Sequence, residues 1–107
     1  MNAQFDERLN LTNGRRTVEA AGPCDWEPGD ASAVVRDVTV TRGAVVAAGG
    51  GSTRVLQMGV DLSWSLDVTS PTQLSPGRAD AHAIAFVTRT DNTTYERRWY
   101  DDVNLQP

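Results

Sequence analysis

Lysine is missing from this chain; all ten basic residues are arginines. No ε-amine is therefore available for Schiff-base chemistry or for gripping a phosphate in a glycine-rich loop. Cysteine occurs once, as Cys24, and histidine once, as His82. A single thiol excludes an intramolecular disulfide. One thiol and one imidazole cannot build the four-ligand set of a standard zinc site. Long apolar runs are absent too, and nothing reaches the roughly 18 residues of a membrane-spanning helix. The opening MNAQFDERLNL carries acids where a secretory leader has a basic and then an apolar stretch. On that reading the chain is cytoplasmic by default unless a leader has been removed.

What is present fits one soluble domain over residues 1–107, with 39% hydrophobic and 22% charged residues. The net charge of −4 is spread along the chain, without a basic stripe interleaved with aromatics. Nucleic acid would meet net repulsion, so it is not an expected partner. No segment sustains the i, i+3, i+4 apolar stripe of a helix. Turn signals recur at short intervals instead: Asn13-Gly14, Pro28-Gly29, Arg42-Gly43, Gly49-Gly50-Gly51, Pro76-Gly77 and Asp91-Asn92. Val, Thr, Ala and aromatic residues fill the runs between them, which predicts an all-β fold. The expected architecture is an antiparallel two-sheet β-sandwich of about seven strands.

Residues 54–68, RVLQMGVDLSWSLDV, alternate strictly, with Leu56, Met58, Val60, Leu62, Trp64, Leu66 and Val68 on one face. They are expected to form one long strand, with Gly59 at a bulge or change of sheet. A two-residue loop at Asn13-Gly14 sets Leu9 opposite Val18 and Arg8 opposite Glu19. A turn at Arg42-Gly43 sets Val40 opposite Val45 and Val38 opposite Ala47. AAGGGS at 47–52 reads as a loop. A two- or four-residue loop around Asp91-Asn92 sets Ile84 opposite Trp99, Phe86 opposite Arg97 and His82 opposite Asp101. The core face of that hairpin would hold Ile84, Phe86, Trp99, Val103 and Leu105.

Little chemistry remains after this alternation is taken out. His82 beside Asp101 would be an imidazole oriented by a carboxylate, as in a catalytic dyad. No Gly-x-Ser-x-Gly nucleophile elbow accompanies it, and no catalytic residue is assigned. Asp25, Glu27 and Asp30 in CDWEPGD do not follow a calcium-loop spacing and are read as a solvated turn. The sequons Asn10-Leu11-Thr12 and Asn92-Thr93-Thr94 are taken as chance matches. No metal and no cofactor are expected.

The stretch WSLDVTSPTQLSPGRADAHAIAFVTRTDNTTYERRWYDDV, 64–103, leads a Trp-centred strand through a Leu-x-Pro-Gly corner into two hairpin strands. It resembles the last strands of bacterial immunoglobulin-like or fibronectin type III-like sandwich domains over about two-fifths of the chain. The inter-sheet cysteine pair and the corner tyrosine of such domains are missing, so no site residue carries over. The resemblance implies a binding or structural role rather than enzymatic activity. The expected function is a non-catalytic protein-interaction or assembly domain that binds a protein partner or itself, without membrane insertion. Its candidate surface is Arg89, Arg98 and Tyr100 on the non-core face of the last hairpin, together with Trp26. The alternative is a carbohydrate- or cell-surface-binding module with Trp26 as the stacking platform. A small hydrolase using His82 and Asp101 ranks behind both.

Overall fold

The computed structural model of the chain describes residues 1–49 and 53–107. Nine strands follow in order: β1 (Asn2–Ala3), β2 (Arg8–Thr12), β3 (Thr17–Asp25), β4 (Asp30–Arg42), β5 (Val45–Ala48), β6 (Thr53–Gln57), β7 (Ser63–Thr69), β8 (Gly77–Arg89) and β9 (Thr94–Gln106). Seven of them close into a barrel in the order β3-β2-β9-β8-β4-β5-β7, with β7 returning to β3. Strand β6 lies off this ring on the N-terminal half of β4, and the short β1 pairs with the end of β3. The all-β class is as expected, but the sandwich and the immunoglobulin-like resemblance are overturned by this closure. Leu9 pairs with Leu105 where β2 meets β9 in parallel, joining the two ends of the chain. A ring with an odd number of strands cannot alternate up and down all the way round. One parallel pair is the least that closes it, and β2–β9 is that pair.

The alanines of β8 explain how the barrel is filled. Ala79, Ala81, Ala83, Ala85 and Val87 all point inward and are buried. Small side chains there leave room for bulk from other strands: Leu9, Leu11, Val35, Val40, Leu56, Val68 and Trp64. Mixing small and large residues is how a narrow barrel packs its interior. At one end the N-terminal segment crosses the inner side of β3. Gln4 accepts a hydrogen bond from Trp64 Nε1 at 2.9 Å, and Phe5 meets the Trp64 ring edge-on with centroids 5.2 Å apart. Gly22 makes the crossing possible, because a Cβ there would stand 1.7 Å from the Gln4 carbonyl oxygen.

The hairpin registers depart from expectation for local reasons. Asn13, Gly14 and Arg15 all adopt left-handed conformations, so the first loop has four residues and Leu11, not Leu9, faces Val18. Gly43-Ala44 forms the second turn, which pairs Val40 with Ala47 and Arg42 with Val45. Both slips are of two residues and keep each side chain on its expected face. In the third hairpin the amide of Asn92 donates to Arg89 C=O at 2.9 Å, Asn92 is left-handed, and the Arg89 amide donates to Thr93 C=O at 2.8 Å. That is a three-residue loop, and it slips the register by one, pairing Ile84 with Arg98 and Ala83 with Trp99. A one-residue slip turns a strand over. Ile84 and Phe86 of the expected core face therefore stand on the outer side of β8, where Ile84 is nonetheless buried. Val103 and Leu105 of β9 are buried in the core as expected.

Residues 54–68 are two strands rather than one. The chain turns at Met58–Leu62, with Gly59 at φ 82°, so Leu56, Trp64 and Val68 are buried while Met58, Val60 and Leu62 are exposed. In β4 an extra residue between Arg36 and Thr39, with Asp37 at φ 53°, forms a bulge. It moves the inward positions from Ala33 and Val35 to Val38 and Val40. Of the expected 47–52 loop, Ala47 and Ala48 belong to β5, and residues 50–52 lie outside the described residues.

Candidate functional site

The bulge in β4 and the three-residue loop after β8 together decide which side chains stand on the barrel's outer wall. Two rungs cross β4, β8 and β9 there: Thr39–His82–Tyr100, and Thr41–Asp80–Asp102. They line an open groove of about 670 Å³, whose floor includes Ala81 and Asp101. His82 and Tyr100 stack with ring centroids 4.5 Å apart and planes inclined by 26°. His82 Nε2 is buried there without a hydrogen-bond partner among the described residues. Tyr100 is 73% exposed, a bare aromatic surface beside two carboxylates.

Asp80 and Asp102 stand directly opposite one another. Like charges in that position repel and destabilise an antiparallel pair. Arg78 Nη2, 3.3 Å from Asp102, relieves part of this, but both side chains of that ion pair are more than half exposed and the pair contributes little. The groove thus offers negative charge next to an aromatic face. A guanidinium or ammonium group would find both partners in it.

The structure separates His82 from Asp101. Asp101 pairs with Ala81 on the other face of β8–β9, and its Oδ2 accepts from the Phe5 amide at 3.3 Å. The imidazole–carboxylate dyad is not assembled. Of the four expected surface residues, Arg98 and Tyr100 share the outer face of β9, where Arg98 pairs with Glu96 at 2.9 Å. Arg89 instead lies over the Tyr95 ring, 4.3 Å from its centroid, at the hairpin's far end. Trp26 is half-buried against the core and its Nε1 donates to Asp61 C=O at 2.7 Å, so it is part of the fold's fabric. Thr39, Thr41, Asp80 and Asp102 escaped the sequence reading. The run ADAHAIAF, 79–86, carried the signal, since alanine at every second position marks the packed face and sends Asp80, His82, Ile84 and Phe86 outward.

The acids of CDWEPGD diverge. Glu27 reaches Arg97 at 3.1 Å, while Asp30 is buried and accepts from the Met1 ammonium at 2.9 Å, the Glu27 amide and the Tyr95 hydroxyl. Burial works to raise the Asp30 pKa, but those donors and the ammonium charge outweigh it and hold the carboxyl below the ordinary range. Tyr95 is pushed up to about 12, by burial first and then by its bond to Asp30 and the charges of Asp30 and Glu27. The Cys24 thiol is pushed up to about 11 by burial and by the nearby Asp61 and Asp25, which leaves it protonated and unreactive at neutral pH. Among the described residues no group of three or more His, Cys, Asp or Glu side chains is placed to hold a metal ion. No protein-family model matches the chain, and no curated protein matches its sequence.

Proposed function

We propose that this chain is a non-catalytic protein-interaction module whose contact surface is the outer wall of β4, β8 and β9. The observation that carries the reading is the unfavourable facing of Asp80 and Asp102 beside the bare ring of Tyr100. Repulsion kept in a folded wall is relieved when a partner's cationic side chain enters. Arg98, on the same face as Tyr100, extends the surface with a residue type enriched at interfaces. A capped pentapeptide with a central arginine tests it, titrated into ¹⁵N-labelled protein. Amides of 39–41, 80–82 and 100–102 are expected to shift, with at least tenfold weaker binding in Tyr100→Ala and in Asp80→Asn/Asp102→Asn. A glutamate-centred peptide that binds equally well refutes the reading.

The second reading is a carbohydrate-binding module. It rests on the same exposed Tyr100, whose carboxylate and threonine neighbours could accept from sugar hydroxyls. A glycan array distinguishes it, since binding there that is lost in Tyr100→Ala and insensitive to salt favours sugar over a cationic partner.

A further inference from the structure

The turn between β6 and β7 carries a second surface that the groove does not use. Met58, Val60 and Leu62 are 41%, 77% and 76% exposed, so three of the chain's large apolar side chains stand bare within five residues. Val55, at 58%, is exposed as well, on the face of β6 opposite Leu56. Apolar side chains gathered on a surface in this way mark contact sites more often than single exposed ones do.

The turn is also held firmly. Gln57 C=O accepts from the amides of Val60 and Asp61, and Asp61 Oδ2 accepts from the Gln57 amide at 2.8 Å. The Met58 amide donates to Ala31 C=O at 3.0 Å, and Leu62 C=O accepts from Cys24 at 2.9 Å. Trp26 Nε1 donates to the Asp61 carbonyl at 2.7 Å. Anchored by these bonds at both ends, the turn presents its apolar tips from a fixed base. A rigid knob of this kind loses little entropy on binding.

Charge selects the occupant. Leu62 sits with Asp6, Asp61 and Arg54 along a concavity of about 520 Å³. Two carboxylates of the concavity against one guanidinium make the rim acidic. A second copy, bringing the same rim and a net charge of −4, would meet repulsion, and so would an anionic membrane.

We infer that the turn Met58–Leu62 is a docking knob for a different protein that offers an apolar surface bordered by arginine or lysine. It is independent of the Tyr100 groove, because the turn hangs from Ala31 at the start of β4 while the groove rungs begin at Thr39. The test titrates labelled protein with a soluble peptide of alternating leucine and arginine, and with its leucine–glutamate counterpart. The leucine–arginine peptide is expected to shift amides 57–62, leaving 80–82 unmoved, and to bind at least tenfold tighter than the other. Val60→Ser/Leu62→Ser should weaken it at least tenfold with thermal stability unchanged, since both side chains are solvated. Equal binding of the two peptides, unchanged binding by the double variant, or no shift at millimolar peptide overturns the proposal. Loop-dependent dimers in sedimentation, or loop-dependent flotation with phosphatidylcholine or phosphatidylserine vesicles, overturns it in favour of a second copy or a membrane.

Discussion

Asp30 shows how a single side chain turns from an expected surface acid into part of the interior. With its carboxylate accepting from the Glu27 amide and the Tyr95 hydroxyl and paired with the Met1 ammonium, replacing it removes one partner of a buried charged pair. Asp30→Asn is expected to cost on the order of 3 kcal/mol, read by urea denaturation at neutral pH. The pH dependence has two arms. Tyr95 has its folded pKa raised to about 12, so its contribution is complete below its unfolded value near ~10 and is lost as pH rises toward 12. Asp30 has its folded pKa lowered, so its contribution is complete above its unfolded value near ~3.9 and is lost as pH falls through the folded one. Thermal melts across pH 9–12 are expected to show a steeper decline in wild type than in Tyr95→Phe. Identical alkaline slopes in the two proteins would remove Tyr95 from the account.

At the scale of the strand, the β8–β9 hairpin decides the site, and its register rests on one residue in a loop. The inward row of alanines means that added volume is felt there. Ala83→Leu, at a position with no exposure, is expected to cost about 1–3 kcal/mol by overpacking. Thr94→Ala, on the solvated side of the same hairpin, should stay within about 0.5 kcal/mol. Comparable losses in the two variants would mean that the register is wrong. Period-two alternation made every long strand legible, and the faces of β2, β3 and β5 came out correctly because their slips were of two residues. Side-chain size misplaces the inner face at β8, because this barrel packs its smallest residues inward there, while it places Val103 and Leu105 of β9 correctly. Alternation itself failed at 54–68, where it runs unbroken through the turn at Met58–Leu62. Of the candidate site, His82 and Tyr100 were singled out in the sequence, but their stacking and the Asp80–Asp102 rung depended on that one-residue slip.

For the whole molecule, the closure that sequence patterns missed is also its least uniform feature. No local signal announces that residues 8–10 lie alongside 104–106, since such a pairing is set by the rest of the ring. The wall is continuous from β4 through β8 to β9, with twelve paired positions between β8 and β9. Seven pairs join β3 to β7, but other junctions are thinner: three parallel pairs join β2 to β9, and among the described residues one pair, Ala48 with Thr69, joins β5 to β7. Local opening follows the weakest pairing, so hydrogen exchange should divide the barrel unequally. Amides around Ala48 and Thr69 are expected to exchange by local opening, well before those of Val35, Ala83 and Ala85, which should require global unfolding. Leu105→Ala, removing a buried side chain at the parallel junction, should cost about 2–4 kcal/mol and lower protection along β2 as well as β9. If the Thr69 region proves as slow to exchange as Ala83, the β5–β7 junction is not where the barrel opens.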